Sequence, residues 1–237
     1  MNNTLKVSKY LFRDFGKAML IFYSIILAVA ILLVALYVYV ISQEDGKASF
    51  GGFGFSAFIF LFVSGLNCFK ANFKFLQANN ISRKRFYFAN IITLLSISAF
   101  MALIDTAMTY SMKLIVPYEN ILEQLYKNNF FFANFIWSFA LFALAASTGW
   151  FITMLYYRCD KLMKTITSFA PVLIVILLIM LNNLTKGVMG IAIIKFLTVA
   201  LGFNNNNPYM AVLSFFIASA GAFGLCYLLI RRITIKE

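Results

Sequence analysis

Long apolar stretches recur along this chain of 237 residues and constrain its fold more than any other feature. A helix needs about 20 mainly apolar residues to cross a bilayer. Six stretches approach or exceed that length, near residues 18–41, 53–68, 86–110, 130–157, 165–181 and 209–230. Apolar residues make up 62% of the chain, which a soluble core of this size could not bury. We therefore predict an all-α polytopic membrane protein, with six transmembrane helices in a single domain over residues 1–237.

The basic residues predict the orientation of these spans. If the N-terminus is cytoplasmic, all but five of the 20 Lys and Arg residues fall in cytoplasmic segments. The five on the outer side are Lys47, Lys113, Lys127, Lys186 and Lys195. An excess of cations marks the cytoplasmic side of a membrane protein. We therefore predict a multi-pass protein of the cell (cytoplasmic) membrane with both termini cytoplasmic, and we assign its net charge of +12 to the lipid surface rather than to nucleic acid.

Several classes of chemistry are missing from the sequence. The chain has no His, which excludes His-based zinc sites and Ser–His catalytic dyads. It has no G-x-x-x-x-G-K-[ST] phosphate loop, so any ATP must be bound by another chain. The three cysteines lack the spacing of a metal site. We predict no catalytic residue, no metal site and no cofactor bound by this chain.

Two further segments are predicted to lie at the membrane surface without crossing it. Residues 4–17 place Lys6, Lys9, Arg13 and Lys17 on one helical face and Val7, Leu11 and Phe15 on the other. This pattern is typical of an interfacial helix, with Gly16 as the bend into the first span, although a simple basic anchor would also explain the charge. The apolar segment 187–203 is about 25 Å long if helical. Because Lys195 lies near its middle, we predict a re-entrant outer helix.

The segment between spans two and three is predicted to form a short cytoplasmic helix over residues 69–80. Phe69, Phe73 and Leu76 recur on one helical face, and Lys70, Lys74 and Gln77 lie on another. Ser82 is placed to cap the next helix, ahead of the basic cluster that begins at Arg83. The apolar face could dock a cytoplasmic partner, or it could lie in lipid while the cations bind phosphate headgroups.

Within the spans, Asp105 is the one acidic residue that falls well inside an apolar stretch. An intramembrane carboxylate is a candidate contact for a cationic substrate or a proton, and the alternative is a structural hydrogen bond to a neighbouring helix. Ser214, Ala218 and Ala222 form a ridge of small residues in the last span, which predicts close helix packing.

This layout resembles the permease subunits of ABC-2-type ABC transporters. The stretch NISRKRF at residues 80–86 is similar to one found in many small Gram-positive permeases of this type. The resemblance implies that the 69–80 helix is a coupling helix, which a separate ATPase subunit would contact at Phe69, Lys70, Phe73, Lys74, Leu76 and Arg83. It also implies a second permease chain, ATP and Mg on the ATPase, and export of an amphipathic or hydrophobic substrate such as a peptide.

Two other classes of function stay open at the level of sequence. One is an ATP-independent channel or secondary carrier that uses Asp105, and the other is a membrane scaffold without transport activity. A copurifying ATPase would favour the permease, and proton-driven flux that is lost in Asp105→Asn would favour the carrier.

The predicted topology can be tested by thiol labelling of intact cells, in a background without the native cysteines. Lys47→Cys and Lys186→Cys should react with an impermeant maleimide, whereas Lys84→Cys and Thr234→Cys should react only after the cells are opened. Labelling of Thr234→Cys from outside would contradict the even number of spans and make 187–203 a crossing helix.

Overall fold

The computed structural model describes residues 3–41, 51–127, 130–231 and 233. All regular secondary structure in these ranges is helical. The helices are α1 (Asn3–Ile41), α2 (Phe53–Asn67), α3 (Lys70–Ala78), α4 (Arg83–Lys113), α5 (Ile121–Tyr126), α6 (Phe131–Arg158), α7 (Lys161–Leu184), α8 (Val188–Ala200) and α9 (Pro208–Ile230), with a 3-10 turn at Phe203–Asn205. The predicted all-α class is confirmed. The predicted outer loop at Lys47 and the C-terminal position Thr234 lie outside the described residues.

Five helices are long and apolar enough to cross a membrane: α1, α4, α6, α7 and α9. The predicted second span is different, because α2 has only 15 residues and is about 22 Å long. It meets the same criterion only together with α3, across a bend of 41°. The described residues therefore contain five or six helices that could span a membrane. Which of them cross, and from which side, stays a prediction.

Four helices, α2, α4, α6 and α9, pack into one bundle, and α1 lies along α4. The end of the bundle that holds the starts of α1 and α4, all of α3 and the ends of α6 and α9 is called the cationic end. Three contacts join these parts: Tyr10 stacks on Phe75, Phe69 packs against Tyr157, and Arg83 donates to the carbonyl of Arg231. The opposite end contains α5, α8 and the start of α9.

The predicted interfacial helix over residues 4–17 is wrong as a separate element. Helix α1 runs through Gly16 without a break, because a glycine inside a helix costs only about 1 kcal/mol. Val7, Leu11 and Phe15 belong to the buried core rather than to a lipid-facing surface. Between them, the hydroxyl of Ser8 lies 3.0 Å from that of Thr93 in α4. The apolar face formed by Val7, Leu11 and Phe15 therefore packs against the protein itself.

Helix α8 falls inside the predicted re-entrant segment 187–203. Its 13 residues span about 20 Å, which is shorter than a hydrocarbon core of about 30 Å. The next helix, α9, begins with a cap: Asn207 accepts a hydrogen bond from the N–H of Tyr209, and Pro208 is the first helical residue. A hydrogen bond joins α9 to α8, because the hydroxyl of Ser214 donates to the carbonyl of Ala200 over 2.6 Å.

Helices α2 and α6 touch backbone to backbone where Gly65 faces Gly149. A Cβ at Gly65 would overlap the carbonyl oxygen of Ala146, and one at Gly149 would overlap that of Phe62. Around this crossing, α6 presents further small buried side chains. Glycine is required on both helices, because any larger residue would push the two backbones apart.

Gly149→Ala should therefore destabilise the bundle by about 1–3 kcal/mol, as overpacking does in other tight cores. Thermal unfolding in detergent would measure the loss. Gly221→Ala in α9 is the matched control, because a Cβ at that position would meet nothing within 4 Å. Equal stability of the two variants would contradict the close crossing.

Candidate functional site

The break between α2 and α3 forms a bent element, residues 68–82, which we call the elbow. Two of its aromatic side chains, Phe69 and Phe73, point into the bundle and are both 0% exposed. The ring of Phe69 lies 4.9 Å from that of Phe73, 5.9 Å from Phe86 in α4 and 5.2 Å from Tyr157 in α6. Aromatic pairs at such distances add to the free energy of burial. The elbow is therefore wedged between α4 and α6.

The predicted docking face of this helix must be corrected. Phe69, Phe73 and Leu76 do share one face, but all three are buried in the chain's own core. They are not accessible to a partner in this structure. Of the polar residues predicted to join them, Lys70 and Arg83 are exposed and Lys74 is half-buried. A helical period identifies an apolar face, but it does not identify what covers that face.

The outward face of α3 presents a surface that the sequence pattern does not predict. Phe75 is 51% exposed, and its ring stacks on that of Tyr10 in α1 at 5.4 Å. Lys70 is exposed on the same short helix. We call Tyr10, Lys70 and Phe75 the elbow surface. The signal in the sequence was weak, because Phe75 breaks the apolar period that Phe69, Phe73 and Leu76 establish.

Hydrogen bonds close the elbow on itself. The N–H of Ile81 donates to the carbonyl of Leu76 at 3.0 Å, and the side-chain amide of Gln77 donates to the carbonyl of Ile81 at 2.7 Å. The predicted cap at Ser82 is confirmed, because its hydroxyl accepts from the N–H of Arg85. The turn is tight enough that Asn80 adopts a φ of 58°, in the left-handed region. These bonds tie α3 to the start of α4.

Asp105 lies at the other end of α2, in a buried polar cavity. Its side chain is 7% exposed, and its carboxylate interacts with the hydroxyl of Ser138 in α6. It also lies against α2, since a Cβ at Gly54 would be 3.3 Å from Oδ2. The cavity has a volume of about 10 Å³, which is about the space of one water molecule.

The lining of this cavity is richer in polar groups than the sequence indicated. Asn120 and Asn134 both line it, and the side-chain nitrogen of Asn134 has no hydrogen-bond partner among the described residues. Buried polar groups without a partner in the protein are usually satisfied by ordered water. Helical spacing alone could not bring together groups from α2, α4, α6 and the 114–120 loop.

Tyr118, in the 114–120 loop, contacts the start of α2. Its ring stacks on that of Phe53 at 5.7 Å, and its hydroxyl oxygen accepts from the N–H of Phe53 at 3.3 Å. Burial, and then the negative charge of Asp105, raises the pKa of the Tyr118 phenol to about 12. The phenol is therefore neutral at physiological pH and remains available as a hydrogen-bond donor.

The predicted ridge of small residues in α9 does not form one seam. Ala222 is buried, Ser214 is half-buried and bonded to α8, and Ala218 is exposed. The closest packing of small residues is instead on α6, at Ala146 and Gly149.

No family model matches this chain, and no curated protein and no solved structure matches it either. Among the described residues, no group of three His, Cys, Asp or Glu side chains is placed to hold a metal ion. The candidate sites therefore rest on their own geometry.

Two substitutions of Asp105 can separate the contribution of its side chain to packing from the contribution of its negative charge. Asp105→Asn keeps the size of the side chain and its contact with Ser138, so the unfolding free energy should change by less than about 1 kcal/mol. Asp105→Ala enlarges the cavity and leaves Ser138 without its partner, which should cost about 1–3 kcal/mol. Normal stability with weakened transport in Asp105→Asn would assign the carboxylate a role in substrate passage, whereas normal transport would assign it to packing.

Proposed function

We propose that the chain is the membrane permease subunit of an ATP-driven ABC exporter, and that a separate ATPase subunit docks on the elbow surface. The observation that carries this proposal is the construction of the elbow. Its inner face is locked into α4 and α6 by Phe69 and Phe73, and its outer face exposes Phe75 beside Tyr10. A partner that pushes on the outer face would therefore move the bundle.

The charges around the elbow suit a partner that is acidic at its docking groove. Lys70 lies on α3, and the exposed residues Arg83, Lys84 and Arg85 begin α4 directly after the turn. Exposed charges of this kind mainly raise the association rate and set specificity, while buried aromatic anchors supply most of the binding free energy. In this proposal Phe75 is the anchor, and the cations orient the approach.

A second permease chain is part of the same proposal, and α7 supports it. Residues 162–184 of this helix are apolar enough to cross a membrane, yet none of them is buried within the chain. A helix that is apolar on all sides packs either against lipid or against another subunit. The first turns of α7 stay near the bundle because the connection from α6 is short. In addition, the hydroxyl of Ser168 in α7 is hydrogen-bonded to that of Tyr156 in α6.

The carrier and channel alternatives receive less support from the structure. They require Asp105 to meet a substrate or a water-filled path. The space beside its carboxylate is about that of a single water molecule. The substrate of the proposed exporter is amphipathic or hydrophobic, such as a peptide that enters from the membrane.

The docking proposal predicts that Phe75→Ala combined with Lys70→Ala releases the ATPase. Truncation of one aromatic anchor typically costs about 2 kcal/mol, which is more than tenfold in affinity. The measurement is the ATP hydrolysis that copurifies with the tagged permease in mild detergent. Phe132→Ala is the matched control, because it removes a similarly exposed ring, 62% accessible, from the opposite end of the bundle.

Phe73→Ala provides a second control. Because this ring is buried between α3, α4 and α6, its loss should lower the unfolding free energy of the permease itself by about 3–5 kcal/mol. Undiminished ATPase copurification after loss of Phe75 and Lys70, at normal stability, would contradict docking on the elbow surface. The absence of any copurifying or cross-linked ATPase with the unmodified chain would contradict the permease assignment.

A further inference from the structure

An open groove of about 630 Å³ lies between the ends of α6 and α9 at the cationic end. This volume is within the range of ligand sites in proteins. Its walls are apolar and its mouth is basic, with lining residues Phe151, Leu155, Arg158, Leu225, Leu228, Leu229 and Arg231.

Both helices place these groups in the same order. On α6, Phe151, Leu155 and Arg158 recur at spacings of four and three, so they share one face and rise about 10 Å along the helix. On α9, the leucines of the groove likewise precede the arginine at the end of the helix. The two walls therefore run from apolar to cationic in the same direction.

Both arginines at the mouth are exposed, and contacts within the chain position Arg231. The guanidinium of Arg231 lies over the ring of Tyr227, 5.9 Å from its centroid. The carbonyl of Arg231 accepts a hydrogen bond from Arg83, which brings a third guanidinium to the same corner of the molecule. Arginine presents a planar fork of donors that suits phosphate oxygens.

We propose that this groove binds one anionic phospholipid. The phosphate lies at Arg158 and Arg231, and the first part of an acyl chain lies along the apolar walls. The positive charge at the mouth favours an anionic headgroup. Because the groove runs from apolar residues to arginines, it suits a ligand with a hydrocarbon chain at one end and a negative charge at the other. This binding requires only that the cationic end lies at a membrane surface, and it does not depend on an ATPase.

The experiment measures lipid retained by the full-length protein in detergent, by native mass spectrometry with added dioleoyl phosphatidylglycerol or dioleoyl phosphatidylcholine. The unmodified protein should retain phosphatidylglycerol in preference to phosphatidylcholine. Arg158→Gln with Arg231→Gln should weaken retention of phosphatidylglycerol about 25-fold, because each cation contributes about fivefold near a lipid surface. Retention of phosphatidylcholine should change little.

Two variants separate a built groove from general attraction to a basic surface. Lys6→Gln with Lys9→Gln removes the same charge from exposed positions of α1 and should leave retention unchanged. Leu228→Trp, at a position 59% exposed, should fill the groove and weaken retention while both arginines remain. An equal loss in the lysine variant, or full retention in Leu228→Trp, would overturn the proposal. A third result would also overturn it: the double arginine variant keeps its lipid but no longer forms a dimer. That result would show that a second copy of the chain, rather than a lipid, covers the groove.

Discussion

The contact between the α2 and α6 backbones at Gly65 and Gly149 is the constraint on which the rest of the structure depends. Helices in lipid gain no hydrophobic free energy by leaving it, so close packing of small residues must hold them together. Helix α2 is short, and this contact fixes it against α6, the helix that packs against α2, α4 and α9. The two candidate sites then lie at opposite ends of α2. Gly54, near the start of this helix, lies against Asp105, and the elbow follows the last residue of the helix.

This arrangement links the sites mechanically. The elbow is locked to α4 through Phe86 and to α6 through Tyr157, and Asp105 and Ser138 belong to the same two helices. A displacement of the elbow would therefore act on α2, α4 and α6, which are three of the four helices that line the Asp105 cavity. Packed cores tend to switch between discrete arrangements rather than deform continuously. The polar cavity lies between these helices, and the amide nitrogen of Asn134 in its lining has no hydrogen-bond partner among the described residues.

The sequence predicted the helical class and most of the long helices, because length and apolar content alone decide these features. It also identified the faces formed by Val7, Leu11 and Phe15 and by Phe69 and Phe73. In both cases the expected neighbour was wrong in the same way. An amphipathic period shows that a face is covered, but lipid, a partner and the chain's own bundle give the same pattern. The surroundings of Asp105 were not predictable, because they combine distant segments of the chain.

Arg83 connects the two surfaces proposed at the cationic end. It begins α4 immediately after the elbow, and its guanidinium donates to the carbonyl of Arg231 at the mouth of the lipid groove. If an ATPase moves the elbow, the hydrogen bond to Arg231 must follow or break, and the position of the phosphate-binding groups changes with it. Binding free energies at two such sites are coupled reciprocally. A lipid that strengthens docking of the proposed ATPase is therefore itself held more tightly, by the same factor, when that partner is docked. Under the two proposals, the lipid composition at the cationic end would tune assembly of the complex.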